Sequence, residues 1–547
     1  MKKKLALALA LVSGPVSLAA QAPDTAAAPR AAAALDSAAS EWVPIGSPAE
    51  DRLRTAQLLG EAPSQGHLVR SVSSYAAPAL VEGRVYILRP HLRTVYNSYL
   101  PVSANQGMAW SGRGAGFHVV GGIRARMGRL TLIAAPELAY TQNRDFQRIP
   151  SPASEGRSSF AHPFHGRASS LDTPLRFGND PVTSLSPGQS SLTADVGQFA
   201  AGVATESLWW GPGMRNALLM SNNAPGFPHL FVRTSPEGLR TRYGTLQGRW
   251  VAGALSQSSY FDSRDEGRTI AALALAFTPR GEPGLTLGAT RAVYRTGTRL
   301  AAPLRFLDVL LPVRHPEAPT PPEMMAAAGR SDQLFSLFGR WVFPASGFEM
   351  YGEWARQEGF GSVRELVTAP EATAGYMVGV QWVATGARAG RVRLQGELTN
   401  LEQNDAVRDR SQRSFYTSFN VPQGYTNRGR VLGAAVGPGS SAQWVAADYL
   451  RGDWRLGVFA ERTRWNEDAL ERIYTRNPRG HDVQGVVGLR AAGRVRGWEV
   501  AGEYSFGRRL NWLFQNTARA FDDFDAVDVN LSSFVLSVSP ALPRPRG

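Results

Sequence analysis

Cysteine is absent from this chain of 547 residues, and lysine occurs only as Lys2, Lys3 and Lys4. Without cysteine, the protein has no disulfide framework, no thiolate metal site and no N-terminal cysteine that could carry a lipid. Without further lysines, it has no phosphate-binding loop of the nucleotide-hydrolysing type. The motifs Gly-x-Ser-x-Gly and His-Glu-x-x-His are also missing. We therefore predict a protein that is not an enzyme and that needs no cofactor or metal.

No apolar run reaches the roughly 20 residues that a membrane-spanning helix requires. The N-terminus combines a basic start, a short apolar stretch and small residues, which is typical of a secretory signal peptide over 1–22. We predict a disordered, alanine- and proline-rich leader over 23–46. A small periplasmic helical element is predicted over 47–66, because Ser47 is a good helix cap and Pro48 suits the first turn.

The charge balance is basic, with 59 lysines and arginines against 45 acids and a net charge of +14. Removing the three lysines of the signal peptide leaves about +11 (14 − 3), and all 56 remaining basic residues (59 − 3) are arginine. We interpret the preference for arginine over lysine as codon bias in a GC-rich genome. The positive balance itself suits an acidic partner, either an acidic polysaccharide or the phosphates of lipopolysaccharide in the outer membrane. Nucleic acid is excluded, because the chain is exported and has no nucleic-acid-binding motif.

From about residue 67 the dominant pattern has a period of two, which indicates β-strands. In 348–354, for example, Met350 and Trp354 share one face, while Glu349 and Glu353 share the other. Many segments run to about ten residues, the length that a tilted strand needs to cross a bilayer. Sixteen strands are predicted, and weaker segments at 67–75 and 230–234 raise the number to about 18. The predicted strands are 85–96, 115–126, 130–141, 193–206, 241–256, 268–277, 285–295, 332–343, 348–357, 376–384, 391–400, 443–450, 454–464, 483–491, 498–510 and 527–539.

Short turns alternate with long loops between these strands, as in outer-membrane barrels. The predicted fold is all-β: a monomeric transmembrane antiparallel β-barrel of about 18 strands over 67–540, followed by a tail over 541–547. Aromatic residues near strand ends, among them Trp341, Trp382 and Trp512, are expected in the girdles at the membrane surfaces.

The most distinctive stretch is Trp209-Trp-Gly-Pro-Gly-Met-Arg-Asn-Ala-Leu-Leu-Met-Ser-Asn-Asn-Ala-Pro225. It resembles the hallmark of the Wzi capsule-assembly family of bacterial outer-membrane proteins. Four further segments resemble the same family in order along the chain: Gly107-Met-Ala-Trp-Ser-Gly-Arg-Gly114, Asp172-Thr-Pro-Leu-Arg-Phe-Gly178, Gln423-Gly-Tyr-Thr-Asn-Arg-Gly429 and Asn511-Trp-Leu-Phe-Gln-Asn516. The resemblance implies an outer-membrane lectin that holds secreted capsular polysaccharide on the cell surface without turning it over. The alternative is an outer-membrane porin or polysaccharide export channel, which would need an open lumen.

Eight residues of these loops are predicted to bind polysaccharide, because indole rings stack on sugars, amides bind hydroxyl groups and arginines bind acidic groups. They are Trp209, Trp210, Arg215, Asn222, Asn223, Tyr425, Asn427 and Arg428. The alternative for the tryptophan loop is that it folds into the barrel and packs there.

Two other groups of residues are read as structural. The pair His162 and His165 lacks further ligands nearby for a metal. The carboxylates predicted to line the lumen are expected to pair with arginines and not to form a glycosidase pair. They are Glu349, Glu353, Glu397, Glu499 and Glu503.

Overall fold

Eighteen antiparallel strands close into a barrel in the computed structural model of the protein. The model describes residues 43–541 except 64–67, 72–84, 150–157, 165–169, 264, 312–330, 358–362, 369, 385–389, 404–413, 419, 474–479 and 517–525. Each strand pairs with the next along the chain, and the last strand pairs with the first. The barrel strands are β1 (Val85–Asn97), β2 (Gly114–Met127), β3 (Leu130–Ala134 and Glu137–Thr141), β4 (Val182–Ser186 and Ser191–Val196), β5 (Phe199–Ala204), β6 (His229–Thr234 and Leu239–Arg240), β7 (Gly244–Leu255), β8 (Arg268–Pro279), β9 (Leu285–Thr296), β10 (Ser331–Phe343), β11 (Phe348–Gln357), β12 (Ala374–Val383), β13 (Arg391–Asn400), β14 (Ser441–Arg451), β15 (Trp454–Arg464), β16 (Val483–Val495), β17 (Trp498–Leu510) and β18 (Val529–Pro540).

Shorter elements lie in the connections. Four short strands form two small sheets apart from the barrel wall: Val69–Ser71 pairs with Leu208–Trp210, and Thr426–Asn427 pairs with Arg430–Val431. The α-helices are α1 (Pro48–Leu58), α2 (Val363–Thr368) and α3 (Glu467–Ile473). The 3₁₀ helices are Arg299–Leu310, Pro344–Ser346 and Trp512–Phe514. Within the described ranges, no helix is both long and apolar enough to cross a membrane.

Alternation along the strands separates a polar interior from an apolar exterior, as the sequence predicts. On β11, Glu349 faces the lumen and is fully buried, whereas Met350 faces outward and is 49% exposed. Trp341, Trp382 and Trp454 are also exposed on the outside, at the end of the barrel with the short turns. This apolar exterior, with exposed tryptophans near the short turns, is the surface that a barrel presents to lipid.

Helix α1 lies in the barrel at the end with the short turns, and the predicted cap is confirmed. The Ser47 hydroxyl accepts a hydrogen bond from the Glu50 backbone N–H at 3.3 Å, and Pro48 occupies the first turn. The helix is tied to the wall by ion pairs, including Arg54 with Glu349 at 2.5 Å and Asp51 with Arg393 at 2.9 Å. Side chains of the predicted helical element therefore reach into the lumen.

The number of strands agrees with the prediction, but two assignments were wrong. Segment 193–206 is not one strand, because a turn at Gly197 (φ +62°) divides it between β4 and β5. The weak segment 67–75 does not contribute a wall strand, since Val69–Ser71 pairs with Leu208–Trp210 inside the barrel. The other weak segment is confirmed as part of β6.

One aromatic assignment was also wrong. Trp512 is not in a girdle: it is 4% exposed and donates a hydrogen bond from its indole N–H to the Gln147 carbonyl at 2.9 Å. The predicted signal peptide, the leader up to residue 42 and the tail from residue 542 lie outside the described residues.

Candidate functional site: a plug in the lumen and its outer surface

The loop between β5 and β6 turns into the barrel and carries the double-tryptophan stretch with it. Gly211 has φ +105°, a value that favours glycine, and Pro212 follows it at the turn. Trp210 is fully buried and exchanges backbone contacts with Val69 and Met220. The Trp209 ring lies 5.3 Å from the Arg70 guanidinium, in a cation–π contact. The loop is therefore part of a plug, which was the alternative reading of this stretch.

Two carboxylates of the barrel wall hold the loop by accepting hydrogen bonds from its backbone. Glu397 accepts from the N–H groups of Met214, Arg215 and Asn216 at 2.6, 3.0 and 2.8 Å. Glu353 accepts from the Leu218 N–H at 2.9 Å. The converging bonds to Glu397 fix the backbone of this turn to the wall.

The expected salt-bridged wall is therefore only part of the arrangement. Glu349 pairs with Arg340 and Arg54, and Glu499 pairs with Arg52, as the prediction requires. Of the other three predicted carboxylates, Glu353 and Glu397 bind the plug backbone instead, and Glu503 lines the cavity described below. The sequence pattern alone could not separate these roles, because all five residues occupy equivalent luminal positions on their strands.

A second loop, from β13 to β14, packs against the first. The Tyr416 and Tyr425 rings stack with centroids 6.1 Å apart, and burial raises the pKa of both hydroxyl groups. The Tyr416 hydroxyl donates to the Leu218 carbonyl at 2.7 Å. The amide side chain of Asn223 donates to the Val431 carbonyl at 2.9 Å, and that of Asn427 donates to the Pro225 carbonyl at 3.1 Å. These amides join the two loops.

The motif segments that are far apart in the sequence meet at this plug. Buried Arg430 donates to the carbonyl groups of Gly107 and Ala109 at 2.9 and 2.8 Å, and burial lowers the pKa of its guanidinium to about 9. The Gly107 N–H donates to the Asn222 carbonyl at 2.6 Å. Asp172 accepts from the Ser258 N–H at 2.7 Å, and its own N–H donates to the carbonyl of residue 423. Four of the five motif segments are thus contact partners in one plug.

The fifth motif segment lies in a separate hydrophobic cluster with residues of neighbouring loops. This cluster includes Trp512, Phe514, Phe146 and Phe164. The Arg509 guanidinium lies 4.3 Å from the Trp512 ring. The segment therefore stabilises the loop end of the barrel and does not enter the plug.

The plug and α1 leave a cavity of about 390 Å³ in the lumen. It is lined by residues of α1, the plug and the wall, among them Trp209, Arg215, Asn222, Arg93 and Glu503. The Arg215 side chain is 37% exposed and forms an ion pair with Glu461 at 3.0 Å. Among the residues that the model describes, no group of three histidine, aspartate or glutamate side chains is placed to hold a metal.

The outer surface of the plug combines an exposed arginine with half-buried aromatic rings. Arg428 is exposed at the tip of the small hairpin, where it and Gly429 have φ values of +48° and +80°, as in a type I′ turn. Gly429 lies against the Phe177 ring, since a Cβ there would be 3.1 Å from it. The Phe177 ring is 5.0 Å from Trp110 and 5.8 Å from Tyr260.

A fourth ring extends this aromatic surface. Phe160 lies 5.6 Å from Tyr260 in an edge-to-face arrangement, and the Arg148 guanidinium lies 4.5 Å from Phe160. We call these rings and Arg428 the outer aromatic surface. Sequence reasoning missed the rings, although Trp110 and Phe177 belong to the motif segments 107–114 and 172–178.

The eight predicted site residues thus occupy different positions. Six are less than 9% exposed and contact protein: Trp209, Trp210, Asn222, Asn223, Tyr425 and Asn427. Arg215 faces the cavity, and Arg428 faces outward.

A model of the capsule assembly protein Wzi family matches residues 112–520, about three quarters of the chain. The chain belongs to the Wzi capsule-assembly family. The matched range begins within the first motif segment and includes all of the plug from residue 207 onward. No curated protein sequence matches the chain.

Among solved structures, the barrel is similar to Wzi of Escherichia coli. That protein is described as an outer-membrane protein involved in group 1 capsule assembly and as a carbohydrate-binding β-barrel. The identity is 12%, the match covers 94% of this chain and 97% of that one, and the TM-score is 0.52, which shows a shared fold. OccAB3 of Acinetobacter baumannii matches at 8% identity over 83% of this chain and 98% of its own, with a TM-score of 0.38. A BenF-like porin of Pseudomonas fluorescens matches at 10% identity over 84% and 100%, with a TM-score of 0.36.

Proposed function

We propose that this Wzi-family protein binds an acidic capsular or other extracellular polysaccharide at the cell surface and retains it there without turnover. Family membership supports the general role, and the Escherichia coli Wzi structure is that of a carbohydrate-binding barrel. The basic net charge of +14 suits an acidic polymer and anionic lipopolysaccharide. We propose that the protein acts as a monomer in the outer membrane, exported through its signal peptide.

The observation that carries this proposal is the outer aromatic surface. Half-buried rings present flat apolar faces of the kind that stack on the apolar face of a sugar. Arg428, next to Gly429 and Phe177, adds a planar guanidinium that can bind a carboxylate with two parallel hydrogen bonds. A sugar acid of the polymer would bind Arg428, while a neighbouring sugar would stack on the aromatic rings.

The buried residues of the predicted site have a different part in this proposal. Asn223 and Asn427 join the two plug loops, and Tyr425 stacks on Tyr416 within the second loop. We propose that they act on polysaccharide by holding the hairpin that carries Arg428. Arg215 and Trp209 line the cavity, where a sugar could reach them only from within the lumen.

The plug argues against the alternative of a diffusion porin or export channel. Two loops and α1 occupy the lumen and are tied to its wall by ion pairs and buried hydrogen bonds. We expect planar-bilayer recordings of the purified protein to show no steady large conductance, whereas such a conductance would favour the channel.

The binding test compares Arg428→Ala with Arg242→Ala. Arg242 is a matched control, because it is also exposed and also lies beside an aromatic ring, that of Tyr243, but at the opposite end of the barrel. Loss of an arginine–carboxylate contact of about 1.5–3 kcal/mol predicts that Arg428→Ala binds the host's polysaccharide at least about 10-fold more weakly than the unaltered protein. Tyr260→Ala should also weaken binding. Equal binding by both arginine variants would refute the placement of the site, and no binding by the unaltered protein would refute the function.

A further inference from the structure

The 3₁₀ helix Arg299–Leu310 lies on the outside of the barrel, against β7, β8 and β9. Phe306 stacks on Trp250 with ring centroids 4.5 Å apart, and the Trp250 indole N–H donates to the Phe306 carbonyl at 2.8 Å. The segment also buries outward-facing wall residues: Ala271 is 1% exposed and Val293 is 2% exposed. These two residues face outward, because Ala271 lies on the same face of β8 as the exposed Leu275, and Val293 lies on the same face of β9 as the exposed Leu287.

Five leucines on the other side of this segment are exposed, and none of the described residues covers them. Ala302 and Val309 pack toward the wall at 5% and 2% exposure. Four of the leucines recur every three or four residues and the fifth directly follows the last of them; all are 55–88% exposed: Leu300, Leu304, Leu307, Leu310 and Leu311. Such a contiguous exposed apolar face marks an interaction surface.

The segment also covers polar side chains on the outer wall. Arg291 donates to the carbonyl groups of Val309 and Leu311 at 2.8 and 2.7 Å. Arg295 forms an ion pair with Asp308 at 3.0 Å. Arg291 thus satisfies carbonyl groups at the end of the helix, and Arg295 is paired with a carboxylate of the same segment, as a low-dielectric environment requires.

The height of the Arg291 contacts places them within the apolar band of the barrel. Trp341, exposed near the short turns, pairs with Leu285, and Arg291 is six residues farther along β9. With a rise of about 3.4 Å per residue and a tilt of about 40°, Arg291 lies roughly 15 Å above that tryptophan. The apolar band of such barrels is about 25 Å tall, so Arg291 is inside it.

We propose that residues 299–311 form a lipid-contacting segment in the outer leaflet, with the leucine face bound to acyl chains and the opposite face covering Arg291 and Arg295. The leucine face continues an existing lipid surface, since Leu275, Leu287 and Leu337 are 40–51% exposed on the adjacent strands and nearer the short turns. This inference does not depend on polysaccharide binding.

The absence of cysteine allows a direct test by site-directed spin labelling. A nitroxide at Leu304→Cys is compared with one at Val445→Cys, an outward wall position that is 57% exposed, and one at Gly281→Cys in a short turn. The protein is reconstituted in vesicles of phosphatidylethanolamine and phosphatidylglycerol, and collision with oxygen and with a water-soluble nickel chelate is measured. We expect the ratio of oxygen to nickel accessibility at position 304 to match that at position 445.

Two outcomes would overturn the proposal. Nickel accessibility at position 304 as high as at position 281 would place the leucine face in water. Dipolar broadening between labels at low protein density would show that a second copy of the chain, and not lipid, covers the face. A second variant checks energetics: Leu304→Asp should accelerate thermal unfolding in vesicles, whereas Val367→Asp, at a 75% exposed position of α2, should not.

Discussion

Replacing Glu397 with alanine should release the plug loop from the barrel wall. The buried N–H of Asn216 would lose its partner, which costs about 1–3 kcal/mol. The N–H groups of the two preceding residues border the cavity, and the Tyr351 hydroxyl also donates to Glu397 at 3.0 Å. Because water can replace the bonds at the cavity, each of these two N–H groups adds only about 0.5–1 kcal/mol. The three N–H groups alone therefore total about 2–5 kcal/mol, which corresponds to a roughly 30- to 5,000-fold larger population of the displaced loop.

The assay uses a single introduced cysteine in the cysteine-free chain. Ala217 is fully buried beside Asn216, so the rate at which Ala217→Cys reacts with a water-soluble thiol reagent reports displacement of the loop. The rate should rise at least about 30-fold when Glu397→Ala is added. Glu503→Ala is the matched control, because Glu503 is also a luminal carboxylate but lines the cavity. Equal labelling rates with and without Glu397→Ala would refute the claim that this carboxylate holds the plug.

Other substitutions test separate parts of the same structure. Gly213→Ala should displace the loop and lower the thermal unfolding temperature, because the new Cβ would lie 1.8 Å from a backbone oxygen of the loop. Gly485→Ala is the control: its Cβ meets no atom within 4 Å, so thermal unfolding should not change. Burial alone would raise the pKa of Asp51, but two neighbouring arginines outweigh it and hold that pKa well below its usual range. The helix attachment that Asp51 provides is therefore complete above about pH 4 and is lost as the pH falls further. Protease cleavage of α1 should thus be unchanged from pH 7 to about pH 4. The variant Asp51→Asn should increase this cleavage at about pH 7. Asn427→Ala removes a hydrogen bond to the Pro225 carbonyl and another from the Ser256 N–H. It should weaken polysaccharide binding without lowering the thermal stability of the barrel. Unchanged binding would contradict the proposed role of the hairpin.

The sequence by itself determined the class of fold and the ends of most strands. Alternation in 348–354 put Glu349 in the lumen and Met350 on the outside, because successive side chains of a strand point to opposite faces. The number of strands was also predictable, but segments 193–206 and 67–75 were misassigned. A two-residue turn at Gly197 leaves little trace in a period-two pattern, and the short strand Val69–Ser71 has the same local pattern as a wall strand.

The tertiary structure decided what the loops do. The residue types of Trp210 and Tyr425 do not show whether these side chains face a sugar or a protein core. Only the packing of two loops from distant parts of the chain buries them. The same holds for Glu349 and Glu397, which are equivalent in pattern but bind arginines in one case and backbone N–H groups in the other. Alternation fixes the side of the wall on which a residue lies, because it is a local property of the strand. The partner of that residue depends on long-range contacts that no local pattern contains.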